Sequence, residues 1–197
     1  MAGLAARRTR LGVGATVSAL VIAGAAATPG PAHASTVASV TVAAGTLSFI
    51  SGTPSTTITF PTTTLNGTNQ TIAATLAFSI GDATGSGSGW DVTATSTTFT
   101  SGSHTLPTTA TTVQTAPTAT CNSGATCTPA TNLVSFPYTL PAAATAPTAT
   151  KLFDAAANTG LGAQTFTATW TLTIPAGAVA SATPYTSTWT FSLVSGP

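Results

Sequence analysis

Charged side chains are scarce in this sequence, and glutamate is absent from it. Only 4% of the 197 residues are charged, and three of the four basic residues lie within the first ten positions. From residue 35 onward one base stands against three acids, which gives a net charge of −2. These residues are Lys151, Asp82, Asp91 and Asp154. Because no basic patch is present, we expect binding of neither nucleic acid nor a charged membrane surface.

Side chains that commonly act in catalysis are as scarce in this sequence as charged side chains. Beyond residue 35 there is one histidine, His104. With Asp82 or Asp91 it could form a Ser-His-Asp set, but it lies in the turn-like SGSHT and no serine lies in a nucleophile-elbow pattern. Asp82 and Asp91 also flank a glycine-rich loop that could contact calcium, yet the loop lacks the acidic spacing of a dedicated site. We predict no enzymatic activity, no metal and no cofactor, with Asp82 as a turn residue.

The first 34 residues have the pattern of a secretory signal peptide. Three arginines precede an apolar stretch over residues 11–27, and the small residues Ala32 and Ala34 mark a cleavage site. We predict cleavage after Ala34 and export of a single domain over residues 35–197. General secretion is favoured, and the paired arginines leave twin-arginine export as the alternative. No later stretch approaches the roughly 18 apolar residues of a membrane span, so we expect no span after cleavage.

The exported part contains two cysteines, Cys121 and Cys127. In an exported protein such a pair predicts a disulfide, and closing so short a loop contributes about 2 kcal/mol in the chain-entropy model. The pair lies in a region rich in Thr, Pro and Ala with little periodicity, residues 101–130, and residues 141–150 are similar. We expect loops in both regions, with the disulfide fixing part of the first.

Alternation of apolar and polar residues is the strongest structural signal. In residues 164–174 every second side chain from Phe166 onward is apolar against an unbroken row of threonines, and residues 185–194 repeat the pattern. This two-residue period predicts two strands, which we expect to form a hairpin or to be neighbours in one sheet. Shorter runs between Gly and Pro turns favour an all-β fold, an antiparallel β-sandwich of about eight or nine strands. Residues 151–160 alone are compatible with a short helix.

The tryptophans and the threonine rows each admit two interpretations. Trp90, Trp170 and Trp189 could form an exposed platform for sugar rings, but their alternation with threonine favours packing in the core. The threonine rows could bind ice. The strands have unequal spacing and no coil-length repeat, however, so a polar outer face of a sandwich is favoured.

Two segments of the sequence carry similar tripeptides. In residues 87–100 a glycine turn precedes the tripeptide Trp90-Asp91-Val92. In residues 184–197 a tyrosine precedes the tripeptide WTF, shortly before the final proline. Together the two segments resemble the signature regions of WxL-domain proteins, exported surface proteins of Gram-positive bacteria. The third position of each tripeptide, a leucine in the family, is Val92 or Phe191 here.

The resemblance implies an extracellular, cell wall-associated protein. It would attach non-covalently to peptidoglycan, to an associated glycan or to other surface proteins, with Trp90, Tyr185 and Trp189 as the ligand-contacting residues. Two alternatives come from other classes. One is a structural subunit that self-associates through strand edges, and the other is a secreted carbohydrate-binding module.

Overall fold

The computed structural model describes residues 34–50 and 53–196. All of the predicted signal peptide except its last residue therefore lies outside the described residues. The chain divides into two units, residues 1–41 and residues 42–197. In the first unit, residues 34–41 are exposed and have no regular secondary structure. The second unit contains all of the strands.

The second unit is built from β-strands, and its described residues include no helix. Of its twelve strands, four have only two residues. The remaining eight agree with the predicted all-β fold of eight or nine strands. The strands are β1 (Leu47–Phe49), β2 (Gln70–Asp82), β3 (Trp90–Thr97), β4 (Thr100–Ser101), β5 (His104–Thr105), β6 (Thr111–Val113), β7 (Thr118–Cys121), β8 (Tyr138–Thr139), β9 (Ala142–Ala143), β10 (Thr150–Ala155), β11 (Gly162–Ile174) and β12 (Trp189–Ser195).

The short helix considered for residues 151–160 is wrong, because β10 occupies the first half of that range. Leu152, Phe153 and Ala155 have at most 1% of their surface exposed, and β10 pairs antiparallel with β3. Burial of two large side chains against a neighbouring strand outweighs the modest helix propensity of three alanines. A turn follows the strand, with a positive φ of 63° at Asn158.

Two sheets face each other and form the predicted sandwich. Sheet A has the strand order β1-β2-β11-β6-β8, and β7 also pairs with β11. Sheet B has the order β10-β3-β12, and β9 also pairs with β3. Every pairing is antiparallel except that of β9 with β3. The longest ladder joins β11 to β2 along the full thirteen residues of each strand.

The core lies between the sheets and follows from the alternation in the strands. On β11, Phe166 and Trp170 are fully buried, and Phe78 of β2 is 1% exposed. Phe166 stacks on Phe78 with ring centroids 5.8 Å apart, and Trp90 of sheet B meets the same Phe166 edge to face at 5.1 Å. The aromatic rings of β11 therefore join the two sheets.

The two alternating runs near the C-terminus do not pair with each other. The first forms β11 in sheet A, whereas the second ends in β12 at the edge of sheet B. The intervening residues, 175–188, carry the chain from one sheet to the other. The expectation of a hairpin or of neighbouring strands is therefore wrong. Trp170 and Trp189 meet instead across the core, with ring centroids 4.7 Å apart.

A buried glutamine and the disulfide hold part of the predicted loop region. Gln164 is fully buried. Its side-chain oxygen accepts a hydrogen bond from the Ala130 amide at 2.9 Å, and its nitrogen donates to the Thr128 carbonyl at 2.9 Å. The predicted pairing of Cys121 with Cys127 is confirmed, with Cα atoms 5.7 Å apart. The hydrogen bonds of Gln164 satisfy buried polar groups in a segment that has few apolar side chains of its own, and the disulfide closes a short loop within it.

Trp90 is held by the turn that precedes β11. Its indole nitrogen donates a hydrogen bond to the Gly160 carbonyl at 3.1 Å, which satisfies the one polar atom of a fully buried side chain. Gly160 has a φ of +77°, and a Cβ atom there would lie 2.6 Å from that indole nitrogen. The turn therefore requires glycine for both its conformation and its space.

We predict that Gly160→Ala lowers the free energy of unfolding by about 2 kcal/mol or more, since the left-handed conformation alone costs roughly 1–2 kcal/mol. Gly177→Ala is the matched control, because Gly177 has no positive φ and a Cβ atom added there would meet no atom within 4 Å. It should change stability by less than about 0.5 kcal/mol. Denaturant unfolding of both variants measures the difference. Equal stability of the two would contradict this account of the turn.

Candidate functional site

A groove runs along the edge of the sandwich where sheet B ends. Its cavity has a volume of ≈ 560 Å³. The residues that line it, called the β12 groove below, are 54–58, Leu76, Phe99 and 185–191. A second cavity of ≈ 490 Å³ adjoins it and shares Ile58, Phe99, Tyr185 and Thr186 with it.

The groove exists because the sheets leave one side of the sandwich incompletely closed. In the described part of the chain, β12 pairs with β3 on one side and with no strand on the other. On the facing sheet, β1 covers β2 only opposite residues 80–82. Residues 54–60 close the gap with side chains instead, and Ile58 and Phe60 pack against the core. Their backbone forms no ladder with either sheet, so an open channel remains beside them.

Aromatic side chains form the apolar part of the groove. Trp189 is half-buried, and its ring centroid lies 6.3 Å from that of Phe99 and 6.4 Å from that of Phe191. Behind it stands the fully buried Trp170, at 4.7 Å. This packing fixes the orientation of the Trp189 ring while leaving part of it accessible. A fixed aromatic surface of this kind binds apolar faces without a large cost in side-chain entropy.

Hydroxyl groups form the polar part of the groove, and none of its described lining residues is charged. The segment before β12 is held in place by backbone hydrogen bonds. The amides of Thr97 and Thr100 donate to the carbonyls of Thr188 and Thr186, both at 2.9 Å. The Tyr185 hydroxyl donates to the Val179 carbonyl at 2.8 Å. The hydroxyl side chains are those of Ser55, Thr56, Thr57, Tyr185, Thr186, Ser187, Thr188 and Thr190.

The structure separates the three ligand-contacting residues predicted from sequence. Tyr185 and Trp189 both line the β12 groove. Trp90 has 0% of its surface exposed and stacks on Phe153 with ring centroids 5.6 Å apart. Trp90 therefore packs the core, as its alternation with threonine favoured.

Sequence reasoning did not find the other wall of the groove. Residues 54–58 and Phe99 line it, although they lie far from β12 in the chain. Phe99 sits in the polar run STTFT, where a lone aromatic gives no sign of its partner. The one available signal was the spacing of Tyr185 and Trp189, which places both on the same face of an extended chain.

The candidate catalytic and calcium-binding residues lie apart from the groove. The Asp82 side chain accepts hydrogen bonds from the amide and hydroxyl of Thr84 at 2.9 and 2.7 Å, as a turn residue does. His104 is exposed in the two-residue strand β5. Asp91 contacts Lys151 instead of the glycine loop. Within residues 34–50 and 53–196, no three His, Cys, Asp or Glu side chains are grouped closely enough to hold a metal ion.

We predict that the two tryptophans that meet beneath the groove differ in their contribution to stability. Trp170→Ala removes a fully buried ring and should lower the free energy of unfolding by about 3–5 kcal/mol. Trp189→Ala removes a half-buried ring and should cost about 2 kcal/mol. Chemical denaturation of both variants measures this. An equal loss for both would mean that Trp189 is a core residue with no free surface for a ligand.

Comparison with models of known protein families gives a match over most of the chain. A family model described as WxL domain surface cell wall-binding matches residues 29–197. No curated protein and no solved structure matches the chain. In the part of the chain that the structure describes, no helix is long and apolar enough to cross a membrane.

Proposed function

This chain belongs to the WxL family of surface domains that bind the cell wall, and from that premise we propose that the β12 groove is its wall-binding surface. The family places the protein at the cell surface in association with the wall, and its description names binding rather than a reaction. The observation that carries the proposal is the position of Tyr185 and Trp189. Both belong to the second signature segment, and both line the same open groove.

The ligand that fits the groove is an uncharged glycan, such as the glycan strands of peptidoglycan. A sugar ring presents an apolar face and a rim of hydroxyl groups, which match an aromatic floor and a hydroxyl-lined wall. Anionic wall polymers would need Lys or Arg for their phosphates, and the described lining residues include neither. Neutral glycan is therefore favoured over phosphate-bearing polymer.

The protein would attach to the glycan non-covalently, with the glycan chain lying along the groove. The two adjoining cavities share Tyr185 and Phe99, so a chain of linked sugars can lie across both. Trp189 would stack on one sugar face, while the threonine hydroxyls replace water around the sugar hydroxyls. Single contacts of this kind are weak, and many parallel copies of the ligand in a wall raise the avidity. We also propose that residues 1–34 are removed on export. N-terminal sequencing of the secreted protein would test this cleavage.

Blocking the groove should abolish wall binding. Thr57 is exposed on the groove wall, so Thr57→Tyr fills the channel without adding charge. Tyr185→Ala removes an aromatic side chain from it. Thr118→Tyr, at an exposed position of β7 on sheet A, is the matched control. Co-sedimentation with purified peptidoglycan sacculi should be saturable for the unmodified protein and the control, and at least about tenfold weaker for the two groove variants.

Circular dichroism must show that all three variants are folded. Equal binding by Thr57→Tyr, Tyr185→Ala and the control would place the wall-binding surface elsewhere. If the unmodified protein does not sediment with sacculi, the glycan is not its ligand, and another surface protein becomes the partner to seek.

Salt should have little effect on this binding. Because none of the described residues that line the groove is charged, screening has no ion pair to weaken there. We expect the dissociation constant for sacculi stripped of anionic polymers to change by less than about twofold between low and high ionic strength. A steep weakening with salt would show that an anionic component is bound.

A further inference from the structure

Three of the four charged side chains beyond residue 35 meet at one point on sheet B. The Nζ atom of Lys151 lies 2.9 Å from Oδ2 of Asp91 and 3.0 Å from Oδ2 of Asp154. Asp91 of β3 and Asp154 of β10 are directly opposite each other in the ladder. A register shift after Lys151 brings its side chain to the same face. Because Trp90 and Val92 point into the core, Asp91 points to the outer face of the sheet.

The ion pairs with Lys151 do not satisfy all of the carboxylate oxygens in this cluster. The side chains of Asp91 and Asp154 are only 7% and 13% exposed. Each uses Oδ2 for Lys151, and the Oδ1 atom of each is buried with no hydrogen-bond partner among the residues that the structure describes. Burial, with the nearby Asp154 carboxylate adding to it, raises the pKa of Asp91. A buried oxygen without a partner costs about 1–3 kcal/mol, so the arrangement favours any change that removes charge from Asp91.

We propose that Lys151 and Asp91 condense into an amide that covalently links β10 to β3, with Asp154 as the residue that moves the proton. The juxtaposition of an amine, an almost completely buried carboxyl group and a second carboxylate on the same nitrogen carries this inference. It concerns a modification of the sheet and is independent of the β12 groove.

The reaction needs no oxidant, reductant or activating reagent, and the proton on the Asp91 carboxyl group is taken up from solvent. The Lys151 ammonium gives one proton to the Asp154 carboxylate, and the neutral amine attacks Cγ of the protonated Asp91. The Nζ–Cγ bond forms, a C–O bond of Asp91 breaks, and a second amine proton leaves with that oxygen as water. The products are a secondary amide, one water molecule and protonated Asp154, which releases its proton to solvent. No atom is oxidised or reduced.

Two features of the cluster favour the condensation. Groups held in contact by a fixed register react as though at a very high local concentration, and the β3–β10 ladder holds the nitrogen beside its target. The product also replaces a buried carboxyl group by a neutral amide whose N–H can donate to Asp154. The pKa of Lys151 is raised by its hydrogen bonds to the two carboxylates, so the amine is mostly protonated. Proton transfer to Asp154 is therefore a required step.

Intact-mass spectrometry of the full chain, expressed and secreted with its own N-terminal region, tests the proposal. After the N-terminus is assigned, the protein should weigh less than the disulfide-bonded sequence by the mass of one water molecule. Lys151→Arg keeps the positive charge but should show no loss of water. Asp154→Asn keeps a side chain of the same shape and should form the bond about 100-fold more slowly or not at all. Peptides from a digest should contain a fragment in which Lys151 is joined to Asp91.

Three results would overturn the proposal. One is an unmodified mass for the folded wild-type protein. The second is a loss of water that persists in Lys151→Arg, which would place the dehydration at another residue. The third is a joined fragment that contains Asp154 in place of Asp91. Because the readout in the wild-type protein is a mass, an ion pair without a covalent bond cannot produce the expected loss of one water molecule.

Discussion

The ladder between β2 and β11 is the constraint on which the structure depends. It fixes thirteen residues of β11 in register with thirteen of β2, and a shift by one residue would turn every apolar side chain of β11 to solvent. That register places Phe166 against Phe78 and Trp90, and it places Trp170 beneath Trp189. The core and the floor of the groove therefore have a common origin.

Local periodicity predicted the strands well but not their partners. The alternation in residues 164–174 identified β11 because its pattern extends over many residues. The same kind of pattern in β12 could not show that this strand belongs to the other sheet, since pairing is decided by packing between distant parts of the chain. For β10, the alanine run was compatible with a helix, and only its burial against β3 decides for a strand. Pairing and burial are long-range properties that composition does not encode.

Only part of the candidate site was predicted from the sequence, because the packing of distant parts of the chain also decides which side chains reach the surface. Trp90 and Trp189 have similar sequence surroundings, yet Trp90 lies at the centre of the core and Trp189 at its margin. The difference arises because β3 is the central strand of sheet B and β12 is its edge strand. The opposite wall, residues 54–58, reaches the groove only through folding. A signature segment can thus identify one half of a binding surface and leave the other half unseen.

The most direct test of the wall-binding account is a titration of the isotope-labelled protein with solubilised peptidoglycan glycan, followed through the indole N–H signals in its NMR spectrum. The account predicts that the Trp189 signal shifts in a saturable manner, because its ring lies at the groove surface. The signals of Trp90 and Trp170, which are fully buried, should move far less. Saturable shifts confined to residues outside the β12 groove, or no shift at any glycan concentration, would contradict the account.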